Sequence, residues 1–247
     1  AGNRDRAPHR RSRYRFGDRP IQDRGWRKVV ILVACAVLAL GVSACGRGSQ
    51  PGIAAESEPD LQGAGNGSVH FPDPILDSVI REVLGKAPDE GISEEELAGL
   101  TDLEAPFRGI TNLKGIEHFV NLSTLRLAEN QISDLSPLSH LTKLTGIDLA
   151  FNQISDLSPL SGLTSLTLLF LPGNEISDIS PLSGLTGLTG LGLHENQISD
   201  ISPLANLTGL VQLDLSEHQI RDISPLSGLI HLNELHLATN QISDISP

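Results

Sequence analysis

The side chains best suited to chemistry in this sequence are carboxylates that recur at a fixed spacing. A row of stacked carboxylates would attract Ca²⁺, which prefers oxygen ligands. In the alternative, structural role, each carboxylate accepts backbone N–H bonds in the turn before the Ser-Pro pair that follows it. One carboxylate per repeat, without an Asp-x-Asp cluster, falls short of a calcium loop and favours the structural role. The aspartates lie 22 residues apart, at Asp134, Asp156, Asp178, Asp200, Asp222 and Asp244.

Eight histidines suggest a metal site or a catalytic base, but their spacing supports neither. None lies in a His-Glu-x-x-His motif or a comparable ligand pattern. His194 and Glu195 are expected to form an exposed, solvated pair. A Gly-x-Ser-x-Gly nucleophile motif is absent, and Gly190-Leu191-Gly192 precedes no long helix that would make it a phosphate loop. We therefore predict no catalytic residue, no metal, no cofactor and no small-molecule substrate.

The other reactive group is the thiol of Cys45, which follows an apolar segment. Arg27-Lys28 precede an apolar run from Val29 to Leu40, and small residues separate this run from the cysteine. A positive start, a short apolar core and small residues are the three parts of a signal peptide, which we assign to residues 29–44. The 17 residues from Val29 to Cys45 are at the lower limit for crossing a bilayer, so a signal anchor is the alternative.

The residues Val42-Ser43-Ala44-Cys45 resemble the lipobox of bacterial lipoproteins. The resemblance implies transfer of a diacylglyceryl group to the Cys45 thiol, cleavage before this residue, and acylation of the new amine with a fatty acid such as palmitate. A chance cysteine is the alternative, because Cys35 lies within the same apolar run. Residues 45–69 would then be a flexible linker that carries the lipidated cysteine. The resemblance implies an extracytoplasmic protein anchored at the bacterial membrane or cell surface.

Charge divides the chain into a basic start and an acidic body. Residues 1–28 carry ten Arg or Lys and three Asp, and we expect them to be a disordered basic arm. From residue 45 onward, eight Arg or Lys are outnumbered by 27 Asp or Glu. The acidic body excludes nucleic acid as a partner, because phosphate binding needs a basic surface. The only Tyr and Trp are Tyr14 and Trp26, so the body also lacks the aromatic platforms that stack on sugars or bases.

Two short helices are predicted in residues 70–99, ahead of the repeats. Asp73-Pro74 supplies an N-cap and a first-turn proline, and Gly85 ends the helix. Ser93 and Glu96 have the spacing of a capping box and start the second helix. We expect both helices to cover the apolar end of the first repeat. The apolar contacts predicted for the two helices are Ile75, Val79, Val83 and Leu84, then Leu97 and Leu100.

The decisive feature is a unit of 22 residues, L-x-x-L-x-L-x-x-N-x-I-x-D-[IL]-S-P-L-x-x-L-x-x. We count six copies from about residue 100 to 231 and a truncated seventh to 247, which together form the domain 100–247. This period and pattern are typical of leucine-rich repeats. The asparagine column, which we call the ladder, comprises Asn130, Asn152, Asn174, Asn196, His218 and Asn240.

Each unit predicts a strand, a turn and a short return. Alternating leucines place every second side chain inside a short parallel strand, and the ladder amide is expected to bond the backbone of neighbouring coils. Ser-Pro should start a helical turn, with Ser as the N-cap. About eight residues remain, too few for an α-helix, so 3₁₀ turns are expected. His218 replaces the asparagine with a bulkier ring and should mark the weakest repeat.

The predicted fold class is therefore an α/β solenoid. It is a leucine-rich repeat array, right-handed and curved, with parallel strands on the concave face, 3₁₀ turns on the convex face and a helical N-terminal cap. The cap beginning Phe71-Pro72-Asp73 and the text of Asn196–Leu204 resemble the internalin-type repeats of bacterial surface proteins over about residues 70–247. In that family the concave face binds a protein partner, often on a host cell. This chain departs from the family in having few concave aromatics and no wall-anchor motif.

Side chains outside the Leu/Ile/Asn frame should point from the strands to the concave side. There Leu168 and Phe170 are expected to form an exposed apolar spot with Phe151 near its edge, a candidate hot spot. Scattered surface apolar residues, which are normal, are the alternative. Gly146, Gly190 and Gly192 should leave shallow places for a partner. The predicted partner-binding residues are Arg126, Asp148, Phe151, Leu168, Phe170, His194, Asp214 and His236.

These patterns favour a non-catalytic, lipid-anchored module that binds a protein at the cell surface. One alternative is a targeting arm for an enzyme whose catalytic domain lies beyond Pro247. Another is a structural surface spacer without a discrete partner. The chain begins at Ala1, contains no Met and stops inside a repeat, so we expect a fragment of a longer protein.

Overall fold

The structure, a computed structural model, describes residues 67–245. The predicted basic arm (1–28), the signal peptide (29–44) and Cys45 lie outside the described residues. None of the helices in residues 67–245 combines the length and the apolar character that a bilayer crossing requires.

Seven strands form one parallel sheet in chain order, each pairing with the next along the chain. Paired residues lie one repeat apart, as Leu103 opposite Leu125 illustrates. The strands are β1 (Asp102–Glu104), β2 (Thr124–Arg126), β3 (Gly146–Asp148), β4 (Leu168–Phe170), β5 (Gly190–Gly192), β6 (Gln212–Asp214) and β7 (Glu234–His236). The predicted parallel solenoid is confirmed.

The return path of each coil is a 3₁₀ turn, as the short return predicts. These turns are Ile116–His118, Ser136–Leu138, Ser158–Leu160, Ser180–Gly184, Ser202–Asn206 and Ser224–Gly228. The middle residue of each strand points inward, and from Leu103 to Leu213 these side chains are fully buried. Together with the turn leucines they make one continuous core along the solenoid. Each coil is therefore stabilised by its neighbours rather than by its own contacts.

The ladder asparagines join each coil to the coil before it. In the case of Asn152, Oδ1 accepts the N–H of Ile132 at 3.0 Å. Its Nδ2 donates to the carbonyls of Leu127 and Leu149, both at 3.1 Å. The amide thus forms hydrogen bonds with three buried backbone groups that would have no partner within a strand or helix. The same pattern holds at Asn130, Asn174, Asn196 and Asn240.

His218 interrupts this pattern. Both of its ring nitrogens are buried without a hydrogen-bond partner among the described residues. The ring therefore does not accept the N–H of Ile198, whose counterparts in five other coils donate to a ladder asparagine. A buried donor without its acceptor costs about 1–3 kcal/mol.

The aspartate column closes the turn before each 3₁₀ segment. Asp156 Oδ1 accepts the N–H of Ser158 at 2.8 Å, and Oδ2 accepts its hydroxyl at 2.9 Å. Four other coils repeat both bonds, which confirms the local role of these carboxylates. The prediction that Ser is the N-cap was wrong. Leu157 takes that position without a side-chain bond, because the serine is itself held by the aspartate and begins the 3₁₀ turn.

The first helix, α1 (Pro74–Leu84), is capped by Asp73 and ended by Gly85 in a left-handed conformation. Asp73 Oδ1 accepts the N–H of Leu76, whereas Oδ2 accepts the N–H of Thr111 at 2.7 Å. One carboxylate therefore caps the helix and ties it to the first repeat. Burial alone would raise the pKa of Asp73, but these hydrogen bonds outweigh it and lower the pKa.

The predicted apolar face of α1 was partly wrong. The buried residues are Leu76, Val79 and Ile80, whereas Ile75 and Val83 remain 37% and 44% exposed. Asp73 fixes the rotation of the helix by its bonds to the first repeat, and that rotation turns the Leu76 side inward.

The second helix, α2 (Glu94–Ala98), begins with the predicted capping box between Ser93 and Glu96. The predicted linker extends too far, because Ser68 and Val69 already belong to the cap. The N–H of Val69 donates to the carbonyl of Ile92 at 2.7 Å, and Ser68 Oγ accepts the N–H of Ile92. These bonds depend on backbone pairing that the polar composition of the segment does not indicate.

Restoring the ladder amide should stabilise the protein. In His218→Asn the new amide can accept the N–H of Ile198 and donate to carbonyls of the two coils, at about 1 kcal/mol for each hydrogen bond gained. We expect the midpoint of thermal unfolding, followed by circular dichroism, to rise by about 2–4 °C for each kcal/mol gained.

The reciprocal substitution is the control. Asn196→His removes the same set of bonds from an intact coil and should lower the midpoint. A His218→Asn midpoint at or below that of the wild-type chain would show that the ring already satisfies this position.

Candidate recognition face

The outward side chains of the strands form a continuous surface, which we call the sheet face. It consists of the first and third residues of each strand, aligned in columns by the parallel register. The first column is Asp102, Thr124, Gly146, Leu168, Gly190, Gln212 and Glu234. The second column is Glu104, Arg126, Asp148, Phe170, Gly192, Asp214 and His236.

The centre of the sheet face is apolar and is formed by Leu168 and Phe170 on β4. Both side chains are partly buried, and both lean toward β5. Leu168 Cδ2 lies 2.8 Å, and Phe170 Cζ 4.0 Å, from the place that a Cβ of Gly190 would occupy. The absence of a side chain at Gly190 therefore leaves room for Leu168, whereas Phe170 would only touch a Cβ there.

The glycines of β5 do not leave the shallow places that the sequence predicts. Gly190 and Gly192 are buried, because the neighbouring strand bears side chains long enough to cover the first of them. The apolar spot is accordingly a half-buried platform rather than a protruding knob. A platform held by the sheet loses little side-chain entropy when a partner covers it.

Phe151 lies at the rim and not on the sheet face. Its φ is +55°, and its ring occupies the space that a Cβ of Gly173 would need. The residue before each ladder position takes this left-handed conformation throughout, which is uncommon for residues other than glycine. The members are Phe107, Glu129, Phe151, Gly173, Glu195, Glu217 and Thr239.

Phe107 is a surface aromatic that the sequence reasoning missed. It is 69% exposed and stands two repeats before Phe151, in the same left-handed position. Its place directly before Arg108, the residue at the ladder position of the degenerate first copy, is the signal that would have identified it.

His194 and Asp214 form a buried side-chain contact between adjacent coils. Their side chains meet at 3.2 Å between Nδ1 and Oδ2, and the residues are only 9% and 4% exposed. Burial alone would raise the pKa of Asp214, but hydrogen bonds from His194 and from Ser216 outweigh it and lower the pKa. The predicted solvated pair of His194 and Glu195 was therefore wrong, because the imidazole turns to the carboxylate of the next coil while Glu195 stays exposed.

Burial also affects the pKa of the neighbouring His218. Burial lowers its pKa, although the charge of Asp214 and the backbone carbonyls of Asn196 and Leu193, which lie near the ring without hydrogen-bond geometry, oppose this shift. The ring is therefore neutral near pH 7. His194, Asp214 and His218 support the sheet face from within and offer a partner little surface.

The two ends of the sheet face carry exposed pairs of polar side chains. Arg126 Nη1 lies 3.5 Å from Glu104 Oε2, and His236 Nε2 lies 3.0 Å from Glu234 Oε1. Hydrogen bonds from His236 and then from Gln212 lower the pKa of Glu234. These charges surround the apolar platform with polar groups, as in the rim of a protein interface.

Asp148 is the charged residue closest in register to the platform, opposite Phe170. Its Oδ1 accepts the N–H of Ala150 at 3.1 Å. Burial raises the pKa of Asp148, and neither this bond nor the charge of Arg126 offsets the burial. The same strand position in β6 bears Asp214, whose pKa moves the opposite way because His194 faces it.

The acidic and histidine side chains do not assemble a reaction centre. Asp214 lies between His194 and Ser216, whereas in a hydrolytic triad the histidine stands between the serine and the aspartate. In the described part of the chain, no three His, Cys, Asp or Glu side chains converge as metal ligands would. Hydrogen bonds from Ser180 and Ser202 lower the pKa of Asp178 and Asp200, whose carboxylates are thereby occupied.

Sheet, ladder and 3₁₀ turns define the class of protein. The family model of Leucine Rich repeats (2 copies) matches residues 120–162, 164–206 and 208–247, more than half of the chain. The chain belongs to the leucine-rich repeat family. Internalin H of Listeria monocytogenes is 39% identical to it over 107 residues, which are 43% of this chain and 19% of internalin H.

Solved structures place the array within the internalin type of this family. Internalin C2 of Listeria monocytogenes is 39% identical, with a TM-score of 0.60, and the match covers 72% of this chain and 88% of that structure. The internalin InlF of the same species is 40% identical, with a TM-score of 0.61, and 71% and 58% are covered. The functional domain of InlJ, which includes a cysteine ladder, is 30% identical with a TM-score of 0.59. Residues 67–245 of this chain contain no cysteine and carry the asparagine ladder instead.

The buried histidine should make the stability of the protein depend on pH. Because the pKa of His218 is lowered in the folded state, the unfolded chain binds more protons below about pH 6.5. Folding therefore loses stability as the pH falls from 7.5 toward 5.5. Urea unfolding across this range should show a smaller loss for His218→Asn than for the wild-type chain and a larger loss for Asn196→His. Equal losses in all three would contradict a neutral, buried His218.

Proposed function

We propose that this chain is the non-catalytic recognition module of a lipid-anchored bacterial surface protein, and that its sheet face binds a protein partner. The observation that carries the proposal is the platform of Leu168 and Phe170 at the centre of an otherwise polar sheet. Binding energy at protein interfaces concentrates in central apolar anchors within a polar rim.

The geometry of the sheet supports recognition rather than chemistry. The platform stands on β4, which is hydrogen-bonded on both sides, so its backbone is held in place before a partner arrives. A surface presented by rigid strands binds more precisely than one built on loops. The contact between His194 and Asp214 joins adjacent coils and keeps both side chains largely out of solvent.

The relatives support the same proposal. The matching proteins are internalins of Listeria monocytogenes, and the sequence resemblance to their repeats implies a concave face that binds proteins. Because this chain spans 19% of internalin H, the activity of the whole relative bears on it only through the repeats. Attachment to the membrane rests on a separate feature, the lipobox-like segment that ends at Cys45.

Truncating the platform should weaken binding. We suggest selecting ligands for the whole chain from a phage-displayed library of random peptides and measuring the affinity of each by titration calorimetry. Leu168→Ala and Phe170→Ala should each raise Kd by about 5- to 30-fold for most selected peptides, equivalent to about 1–2 kcal/mol.

Matched controls remove exposed apolar residues away from the sheet face. Val120→Ala and Ile230→Ala should leave the affinities unchanged, since both side chains lie outside the strands. If the selected peptides tolerate both platform variants, or if selection yields no binders, the sheet face is not a recognition surface.

The anchor is tested independently of the repeats. Expressed in a bacterium with the lipoprotein pathway and fed labelled palmitate, the chain should incorporate label and fractionate with membranes. Cys45→Ser should abolish incorporation, whereas Cys35→Ser, in the same apolar run, should retain it. Label in the Cys45→Ser variant would refute lipidation at this thiol.

A further inference from the structure

The sheet face also indicates the chemistry of its partner, an inference that rests on the proposed function. We propose that Asp148 is a specificity-determining residue that receives a cationic side chain, a Lys or an Arg, while the apolar stem of that side chain lies against Phe170 and Leu168. The partner would then be a protein surface that presents a basic residue next to an apolar one.

The first observation is the incomplete satisfaction of the Asp148 carboxylate. One oxygen accepts the N–H of Ala150, and among residues 67–245 the other oxygen has no hydrogen-bond or ion-pair partner. The residue is nevertheless partly buried. The positive charge of Arg126 offsets this burial only in part, so the carboxylate lowers the stability of the fold, and a cation from a partner would relieve that cost.

The second observation comes from the equivalent residue three coils later. Asp214 occupies the same strand position but meets His194 at 3.2 Å and accepts the N–H of Ser216 at 3.0 Å. The strand position alone therefore does not leave an aspartate unsatisfied. What distinguishes Asp148 is Ala128, two positions after β2, which occupies the place that His194 occupies in the coil before Asp214.

The third observation is the direction of the apolar side chains. Phe170 is opposite Asp148 in the register, but its ring tip reaches toward Gly190 on β5. The tip of the ring is therefore directed away from β3. A Lys or Arg stem could lie along the exposed edge of the platform and bring its charged end to Asp148, as long cationic side chains commonly do.

The charge of the surrounding surface favours the same partner. On the sheet face, Asp102, Glu104, Asp148 and Glu234 are acidic and accessible, whereas Arg126 is the one Lys or Arg of the seven described strands. Arg126 is moreover directed at Glu104. A basic protein surface is electrostatically complementary to this acidic sheet face, whereas an anionic lipid surface or a nucleic acid is not.

A stability measurement without any ligand tests whether the charge of Asp148 destabilises the fold. Asp148→Asn keeps the shape of the side chain and removes the charge, so the unfolding midpoint at pH 7 should rise. Asp214→Asn is the matched control in the same column and should lower the midpoint, because it breaks the pair with His194. A lower midpoint for Asp148→Asn would show that its carboxylate is already stabilised within the chain, and would overturn the proposal.

A binding measurement tests the partner chemistry. Peptides selected on the wild-type chain should be enriched in Lys or Arg next to an apolar residue, and those selected on Asp148→Asn should not. For the wild-type peptides, Asp148→Asn should raise Kd at least about tenfold, equivalent to about 1.4 kcal/mol. Replacing the basic residue of the peptide should have no further effect in that variant.

The two proposals fail in different ways. If the peptides lose affinity for Phe170→Ala but keep it for Asp148→Asn, the sheet face is a recognition surface and the cationic preference is wrong. If neither variant affects binding, the recognition surface itself is wrong. Enrichment of acidic or purely apolar peptides would also overturn the preference for a basic partner.

Discussion

The buried amide of the ladder asparagine fixes how one coil lies on the next. At Asn152 it joins the backbones of two successive coils through one accepted and two donated hydrogen bonds. Because the contacts are with main-chain groups, they set the strand register whatever the outward side chains are. The sheet face can therefore vary in chemistry while its geometry stays constant. His218 shows the cost of an exception, since its ring is buried in the same place with neither nitrogen bonded.

The repeat period predicts most of this structure, because strand, ladder and turn are each set by residues within one coil. Side chains whose environment comes from another coil are harder to predict. His194 was expected to be solvated, but Asp214 on the next strand draws it inward. The rotation of α1 likewise depends on Thr111, far along the chain from Asp73, so the burial of Leu76 in place of Ile75 does not follow from helical periodicity. The orientation of Phe151 depends on a glycine one coil later.

Asp148 and Asp214 illustrate how identical positions acquire different roles. Asp214 is buried, contacts His194 and has a lowered pKa, so it helps to hold two adjacent coils together. Asp148 is only partly satisfied and has a raised pKa, which is a cost that the fold does not need for its own stability. Such local costs are common where a protein keeps a group for an external ligand. The contrast is visible only when the pairing of neighbouring coils is known, since the two residues occupy the same place in the repeat.

Each strand and each 3₁₀ turn packs against the corresponding elements of adjacent coils. Complete repeat units could therefore be gained or lost without disturbing the others. Duplication or loss of one complete unit in the gene would leave every remaining coil with suitable neighbours. The separation between the helical cap and Phe170 would then change in steps of about 4.8 Å, the distance between adjacent strands. Recombination between near-identical units would therefore place Phe170 at different distances from the helical cap in longer and shorter arrays.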